Sequence, residues 1–460
     1  MIEAWHLGQS GLDYGYHQLK PMFQQIVIPL LSLPSDVHCG DIDGDGTPEI
    51  LVVSDAPKKN LPKGQVVDIY AWNGTEFSHQ NQVSFSNRAL IWDIDNGWWG
   101  IDASGLINVL SGEGIVKSHT WLSTLGPTTP IAADIASDLN GDGLAEVIWP
   151  EQGQWRVFSV DGHDWGSVAS PVSGRLQHTE SRGGLKHRVT HESASMQVVD
   201  VDGQGTKDIV LISRNEAVVT LTQQQGLGAS HRVTLPIDVD PSSDFSKPGG
   251  KELSNVWFRD INGDGQMDMA WQYWVTKDSW FGATAELGMS IGDGRRFGQK
   301  HSAQTEQAIV DVRWADWDSS GVSDLLLLGV DLGMGTLARA LLSKSVSLNL
   351  FVQPITQNGF EDARIIWTFT APIDGSEDID YDVGFDWTGD DLPDMLLLQS
   401  GLLELYANQG KTISETQSAQ IEVNKAQKLK VFNTEQGHFA LTWGKKSKQL
   451  QLTWLGQRPF

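Results

Sequence analysis

Short, almost unbroken apolar runs recur along the chain: ILVV at 50–53, VIW at 147–149, IVLI at 209–212, MAW at 269–271, LLLLGV at 325–330 and MLLL at 395–398. They are too short for a helix, lack helical spacing and favour Val, Ile and Leu. Such runs predict strands covered on both faces. Further along each repeat, apolar stretches flank a turn pair, as in IYAWNGTEF (69–77), VFSVDGHDW (157–165) and MSIGDGRRF (289–297). Asn-Gly, Asp-Gly and Gly-Asp pairs in this setting predict hairpins with glycine at positive φ. One repeat therefore holds about four strands, the content of a propeller blade.

Each apolar run is entered through an acidic stretch. The first is GDIDGDGTPEILVV, and six more copies follow with first aspartates at 93, 138, 200, 260, 316 and 386. Four-stranded units repeated at this period stack face to face, because a lone sheet cannot bury both of its sides. The expectation is an all-β chain, a β-propeller of four-stranded antiparallel blades. Seven copies of the motif account for units up to about residue 423. The tail then offers KLKVFNT, HFALTW and QLQLTWL, and QQIVIPLLSL at 24–33 is a spare strand ahead of the first unit. Joining them makes an eighth sheet in which the N-terminal strand closes the ring, so eight blades are expected, with seven the alternative. Residues 1–23 form an N-terminal arm and 24–457 a single propeller domain. Its blades fall near 35–87, 88–126, 127–190, 191–250, 251–305, 306–378, 379–425 and 426–457 with 24–34.

The acidic stretches have the logic of an oxygen-only ion loop. Side chains at loop positions 1, 3, 5 and 9, with a backbone carbonyl at 7 and glycine at 6, suit calcium better than magnesium or zinc. Three copies are complete: Asp41, Asp43, Asp45 and Glu49; Asp138, Asn140, Asp142 and Glu146; Asp260, Asn262, Asp264 and Asp268. Three are weakened: Asp200, Asp202, Gln204 and Asp208; Asp316, Asp318, Ser320 and Asp324; Asp386, Thr388, Asp390 and Asp394, where Asp391 replaces the glycine. The worn copy WDIDNGWWGID at 92–102 is expected to hold no ion. These ions brace turns between strands, which is a structural rather than a catalytic task. The loops followed by apolar strands resemble the FG-GAP/VCBS repeats of integrin-α-type propellers over roughly residues 35–400. That resemblance implies the propeller fold and calcium; its members include adhesion receptors, lectins, toxin components and polysaccharide lyases, so it leaves function open.

Charge narrows the partners. A formal net charge of −25 over 460 residues opposes nucleic acid and anionic bilayers. No apolar stretch is long enough to span a membrane. The N-terminus shows no secretory signal. The single cysteine, Cys39, excludes an intrachain disulfide framework. Loops that fill only at millimolar calcium point to an extracellular, periplasmic or cell-surface setting. The 19 tryptophans suit cores between sheets, or a surface on which sugars stack.

One segment departs from the acidic background: RLQHTESRGGLKHRVTHE at 175–192, with Arg175, His178, Arg182, Lys186, His187, Arg188 and His191, and a hinge at Gly183 and Gly184. A cation to hold a uronate and a histidine to take its α-proton are what a polysaccharide lyase needs. The same residues suit a solvated connection. Polar insertions at 236–253 and 358–378, the latter containing IIWTF, are further candidate partner sites or extra strands, and Tyr14 and Tyr16 could reach a face of the ring. No nucleophile elbow, zinc helix or phosphate loop occurs. The expected role is a calcium-braced recognition or adhesion module for glycan or protein. The alternatives are a lyase of acidic glycans acting through His178, His187, His191 and Arg188, and a platform subunit of a larger assembly.

Overall fold

In the second strand of each acidic repeat almost every side chain is apolar, and the burial pattern follows from this. All five residues of Asp208–Ile212 are buried, as are six of the seven in Asp324–Val330. The fourth strands of the third, fourth and fifth sheets are more polar and more open, as in Phe297–Gln304. Apolar content thus falls across these sheets from the middle toward one edge, so they pack through their faces and leave the fourth strand nearer solvent.

The computed structural model describes residues 23–455 apart from 41–46, 56–64, 74, 86–89, 95–96, 103–104, 110–113, 118–135, 152, 161, 172–174, 182–183, 191–193, 214–215, 236–249, 277–282, 294–296, 357–358, 373–378, 424–425, 435–436 and 445. The described chain is all-β, with eight four-stranded antiparallel sheets. The first comprises Pro34–Gly40, Glu49–Asp55, Gln65–Trp72 and Phe77–Phe85. The second comprises Leu90–Ile94, Gly97–Asp102, Gly105–Asn108 and Gly114–Lys117. The third runs Ala136–Ser137, Glu146–Glu151, Gln154–Ser159 and Asp164–Ala169. The fourth runs Ser195–Val199, Asp208–Ile212, Glu216–Gln223 and Gly226–Thr234. The fifth is Lys251–Arg259, Asp268–Thr276, Ala283–Gly292 and Phe297–Gln304. The sixth is Ala308–Ala315, Asp324–Val330, Ser345–Gln353 and Arg364–Pro372, and the seventh Asp380–Phe385, Asp394–Gln399, Leu402–Tyr406 and Ala419–Glu422.

The eighth sheet draws on both ends of the chain. Lys428–Thr434, Gly437–Trp443 and Gln449–Leu455 pair in order, and Phe23–Pro29 adds the fourth strand, from Phe23 opposite Leu455 to Pro29 opposite Gln449. Leu30 N–H extends the ladder to the Lys448 carbonyl at 2.9 Å.

Each core cluster joins neighbouring sheets. Trp149 and Trp155 meet Ile209 and Leu211 between the third and fourth sheets, and Val219 meets Met269 between the fourth and fifth. Leu287 meets Leu325 between the fifth and sixth, and Val352 meets Met395 between the sixth and seventh. Leu396 and Leu405 meet Ala440 and Phe23, linking the seventh sheet to the eighth. Leu441 and Leu452 of the eighth meet Ile50 and Val37 of the first. Phe85 of the first packs with Val109, just past the third strand of the second. Each large apolar side chain buried this way contributes about 1.5–3 kcal/mol.

Four details sharpen or depart from the expectations. The copy at 92–102 is not strand, nine-residue loop, strand: Ile94 pairs with Gly97 and Trp92 with Trp99, a tight hairpin favoured by the strand propensity of Trp98 and Trp99. Gly184 is not a hinge but opens the second strand of a separate hairpin, Arg175–Ser181 with Gly184–Thr190, in which Ser181 pairs with Gly184; Gly183 lies outside the described residues. For the IIWTF segment the extra strand, one of the two alternatives, is what is found: it is the fourth strand of its sheet, with Ile366 and Phe369 buried. Between the second and third strands of the sixth sheet lies a helix, Met334–Ser343, that no strand pattern anticipated.

Candidate metal centre

The acidic stretches connect the first strand to the second in the third to seventh sheets, so all five described loops emerge at the same end of their sheets. Their shared spacing of acids and glycines produces a shared shape. The carboxylate at position 1 folds the loop around itself by accepting backbone N–H groups. Asp138 accepts from Gly141 at 2.7 Å and Gly143 at 2.9 Å, and Asp200 from Gly203 at 2.8 Å and Gly205 at 2.7 Å. Asp260 repeats this with Gly263 and Gly265, Asp386 with Gly389 and Asp391, and Asp316 with Ser320 and Gly321. Such turning needs positive φ at positions 4 and 6, as at Gly203 (72°) and Gly205 (83°).

The carboxylate at position 9 opens the second strand and is buried: Glu146, Asp208, Asp268, Asp324 and Asp394 are all under 3% exposed. One oxygen accepts the N–H of position 2, and in the four aspartates the other accepts an N–H from the end of the third strand or just past it. Asp208 takes Val201 N–H at 2.9 Å and Thr222 N–H at 2.7 Å. Asp268 takes Ile261 and Gly292, Asp324 takes Trp317 and Ile355, and Asp394 takes Trp387, Thr388 and Asn408. Burial pushes Asp208 up to about 6, with Asp202 and Asp200 adding to the shift and the two N–H donors opposing it. Asp324 is likewise raised by burial to about 6, and Asp268 and Asp394 are raised for the same reason. A cation nearby would offset that cost.

The loops are not equally gathered. Carboxylate oxygens of Asp200, Asp202 and Asp208 lie within 4.8 Å of one another, a group that could hold a metal ion. Among the described residues this is the one acidic group so assembled. It is a loop that the sequence ranked as weakened, because Gln204 stands at position 5. Asn140 turns its amide onto Asp142 at 3.0 Å, and Asn262 does so onto Asp264 at 3.0 Å, satisfying those acids internally. The Asp202 side chain has no N–H to give. The donor set is all oxygen and suits a hard divalent cation, which would neutralise the loop and brace the two strands it joins.

Of the first loop, Asp41, Asp43 and Asp45 lie outside the described residues, and Glu49 is buried at the start of its strand. His191, Arg182, Tyr14 and Tyr16 also lie outside them, as does most of the 236–253 insertion. In the hairpin, His178 is the cross-strand partner of His187, Gln177 of Arg188 and Arg175 of Thr190. Two polar networks escaped the sequence. Asp68, fully buried, accepts Ser32 Oγ at 3.0 Å, Gln82 Nε2 at 2.7 Å and a contact to His79 Nε2 at 3.1 Å. Arg313 of the sixth sheet donates to Asp311 and to the Tyr381 carbonyl of the seventh, and lies 4.1 Å from the Tyr381 ring centroid. A lone acid within the apolar run VVDIYAW was the available signal for the first.

No family model and no curated protein matches the chain. Among solved structures it is similar to BBS1N in complex with ARL6DN, at 10% identity and TM-score 0.40, covering 94% of this chain and 96% of that one. It is similar to the V. cholerae biofilm matrix protein Bap1, at 12% identity and TM-score 0.29, over 95% of this chain and 67% of that one. It is also similar to the Bacillus licheniformis rhamnogalacturonan lyase PL11, at 14% identity and TM-score 0.35, over 93% and 75%.

Proposed function

We propose that the eight sheets are blades of a calcium-braced β-propeller of the FG-GAP/VCBS kind, serving as a rigid recognition or adhesion module for a glycan or protein ligand. The observation that carries this reading is the repetition of one loop shape, in sheet after sheet, around a buried acid at position 9. The succession of shared cores, with the eighth sheet packed on both the seventh and the first, supports the ring. The assembled Asp200, Asp202 and Asp208 oxygens support the cation. No helix of the described residues is long and apolar enough to cross a membrane. A setting outside the cytoplasm, where calcium is millimolar, would keep weak loops filled. Elemental analysis after dialysis against calcium, paired with a glycan array run with and without EGTA, tests the reading. Bound calcium and chelator-sensitive retention of a glycan or protein are expected; a metal-free chain that melts identically with EGTA would overturn it.

A second reading, lyase action on acidic glycans, is favoured by the register that sets His178 opposite His187 and Arg188 opposite Gln177 in one hairpin. Its test is ultraviolet absorbance of unsaturated product from uronic-acid polymers. Product that vanishes in His187→Ala would establish it, and no product from any such polymer would dismiss it.

A further inference from the structure

The acidic loops do not stand apart; each is keyed into the next. Position 4 of one loop rests on the position-6 carbonyl of its neighbour in three successive pairs. A Cβ added to Gly203 would lie 2.6 Å from Gly265 O, and one added to Gly263 would lie 3.1 Å from Gly321 O. In the third pair a side chain fills the place, and Ser319 Oγ donates to Asp391 O. The carbonyl at position 2 is keyed as well. Leu139 O accepts Lys207 N–H at 2.8 Å, Ile261 O accepts Ser323 N–H at 2.9 Å, and Trp317 O accepts Asn408 Nδ2 at 2.9 Å. Asn140 Nδ2 reaches Gln224 O at 3.1 Å, so the loops of the third to seventh sheets form one continuous row.

From this contact pattern the geometry points to a cooperative array, in which a cation filling one loop raises the affinity of the loops beside it. The inference rests on the cation reading above and adds what the loops do to one another. A cation orders the backbone of its own loop, including the carbonyls at positions 2 and 6 on which the neighbour is seated. The neighbour then loses less conformational freedom when its own cation arrives, and binding sites that share such ordering bind cooperatively. Apart from Asn140, the keying groups lie outside the expected ligand positions: Gly203, Gly265, Ser319 Oγ and the Lys207 and Ser323 amides are not ligands. Coupling can therefore be altered without removing a ligand.

The test is calcium titration of the full chain by calorimetry, with bound ions counted by elemental analysis. Asp386→Asn disables the last loop of the row. It is expected to remove one ion and to raise, threefold or more, the calcium concentration that half-fills the rest. Ser319→Gly keeps a residue at ease with positive φ and deletes the hydroxyl key, so the chain folds and the ion count is unchanged. With Ser319→Gly in place, the shift caused by Asp386→Asn should shrink. Ions that bind with half-filling concentrations indifferent to Asp386→Asn would overturn the inference and leave the cation reading intact. A chain that binds no calcium at all would overturn both.

Discussion

The indole of Trp271 lies directly over Gly288, its cross-strand partner, so closely that a Cβ on Gly288 would fall 2.0 Å from the ring. Trp271 is only 4% exposed and belongs to the core between the fourth and fifth sheets. Gly288→Ala must therefore push the indole out of that core or bend the strand. A loss of about 1–3 kcal/mol is expected from such overpacking, read by urea denaturation. Adding Trp271→Leu to the Gly288→Ala chain should recover part of it, because the smaller side chain vacates the space.

In the cation-free chain the buried carboxylates give a pH dependence of definite sign. Asp208 and Asp324 titrate at about 6 in the fold, above the ordinary value near 3.9. The folded chain therefore holds these protons more tightly than the unfolded chain. Their contribution to stability is fully present below about pH 4 and is lost as pH rises through about 6. Chelated protein should melt higher at pH 5 than at pH 7.5, and the pair Asp208→Asn with Asp324→Asn should flatten that slope. Under the proposal that these loops take calcium, the loaded protein should do the opposite, since protons compete with the cation. Thermal melts across pH with EGTA and with calcium measure both.

Asp391 occupies a left-handed backbone position, φ 68°, where the other loops have glycine or, at neighbouring positions, tolerate Ser319 at 55°. An L-residue there costs about 1–2 kcal/mol relative to glycine sterics. Its N–H still serves Asp386 at 2.7 Å, a bond glycine would keep. Asp391→Gly should stabilise the chain by about 1 kcal/mol in urea titrations, whereas Ser319→Gly should gain less because it forfeits the hydroxyl bond to Asp391 O.

These cases mark what a linear pattern can and cannot carry. Strand positions were legible because the acid at loop position 9, as in Asp208 and Asp324, is followed at once by an apolar run that only a covered strand explains. The eighth sheet was legible for the same reason, from unpaired runs such as QLQLTWL at one end and QQIVIPLLSL at the other. The helix Met334–Ser343 was not, because Met334, Leu341 and Leu342 are 75–87% exposed and apolar spacing there does not report burial. Contacts inside the loops were not legible either: the Asn140 amide turns onto Asp142, while oxygens of Asp200, Asp202 and Asp208 converge. The keying of loop on loop lies between distant residues, and no local spacing encodes it.

Asp68 shows how the joining of the two chain ends is secured. Its carboxylate sits in an otherwise apolar strand with no exposure, held by Ser32, His79 and Gln82, and Ser32 also meets Ser54 Oγ at 2.6 Å. Ser32 lies in the short connection between Phe23–Pro29, the strand that completes the eighth sheet, and the first sheet. The same connection is tied by Leu31 N–H to Tyr70 Oη at 3.0 Å and by Lys448 Nζ to Leu31 O at 2.7 Å. Asp68→Ala would remove the carboxylate that Ser32, His79 and Gln82 share; these donors are only partly buried and can turn to water, so a loss of about 1–3 kcal/mol in all is expected. Since the loss is centred on this connection, amide exchange should accelerate first in Phe23–Pro29 and in its partner Gln449–Leu455. Exchange mass spectrometry that finds those two strands no less protected than in the wild type would show that the connection is held by Tyr70 and Lys448 alone.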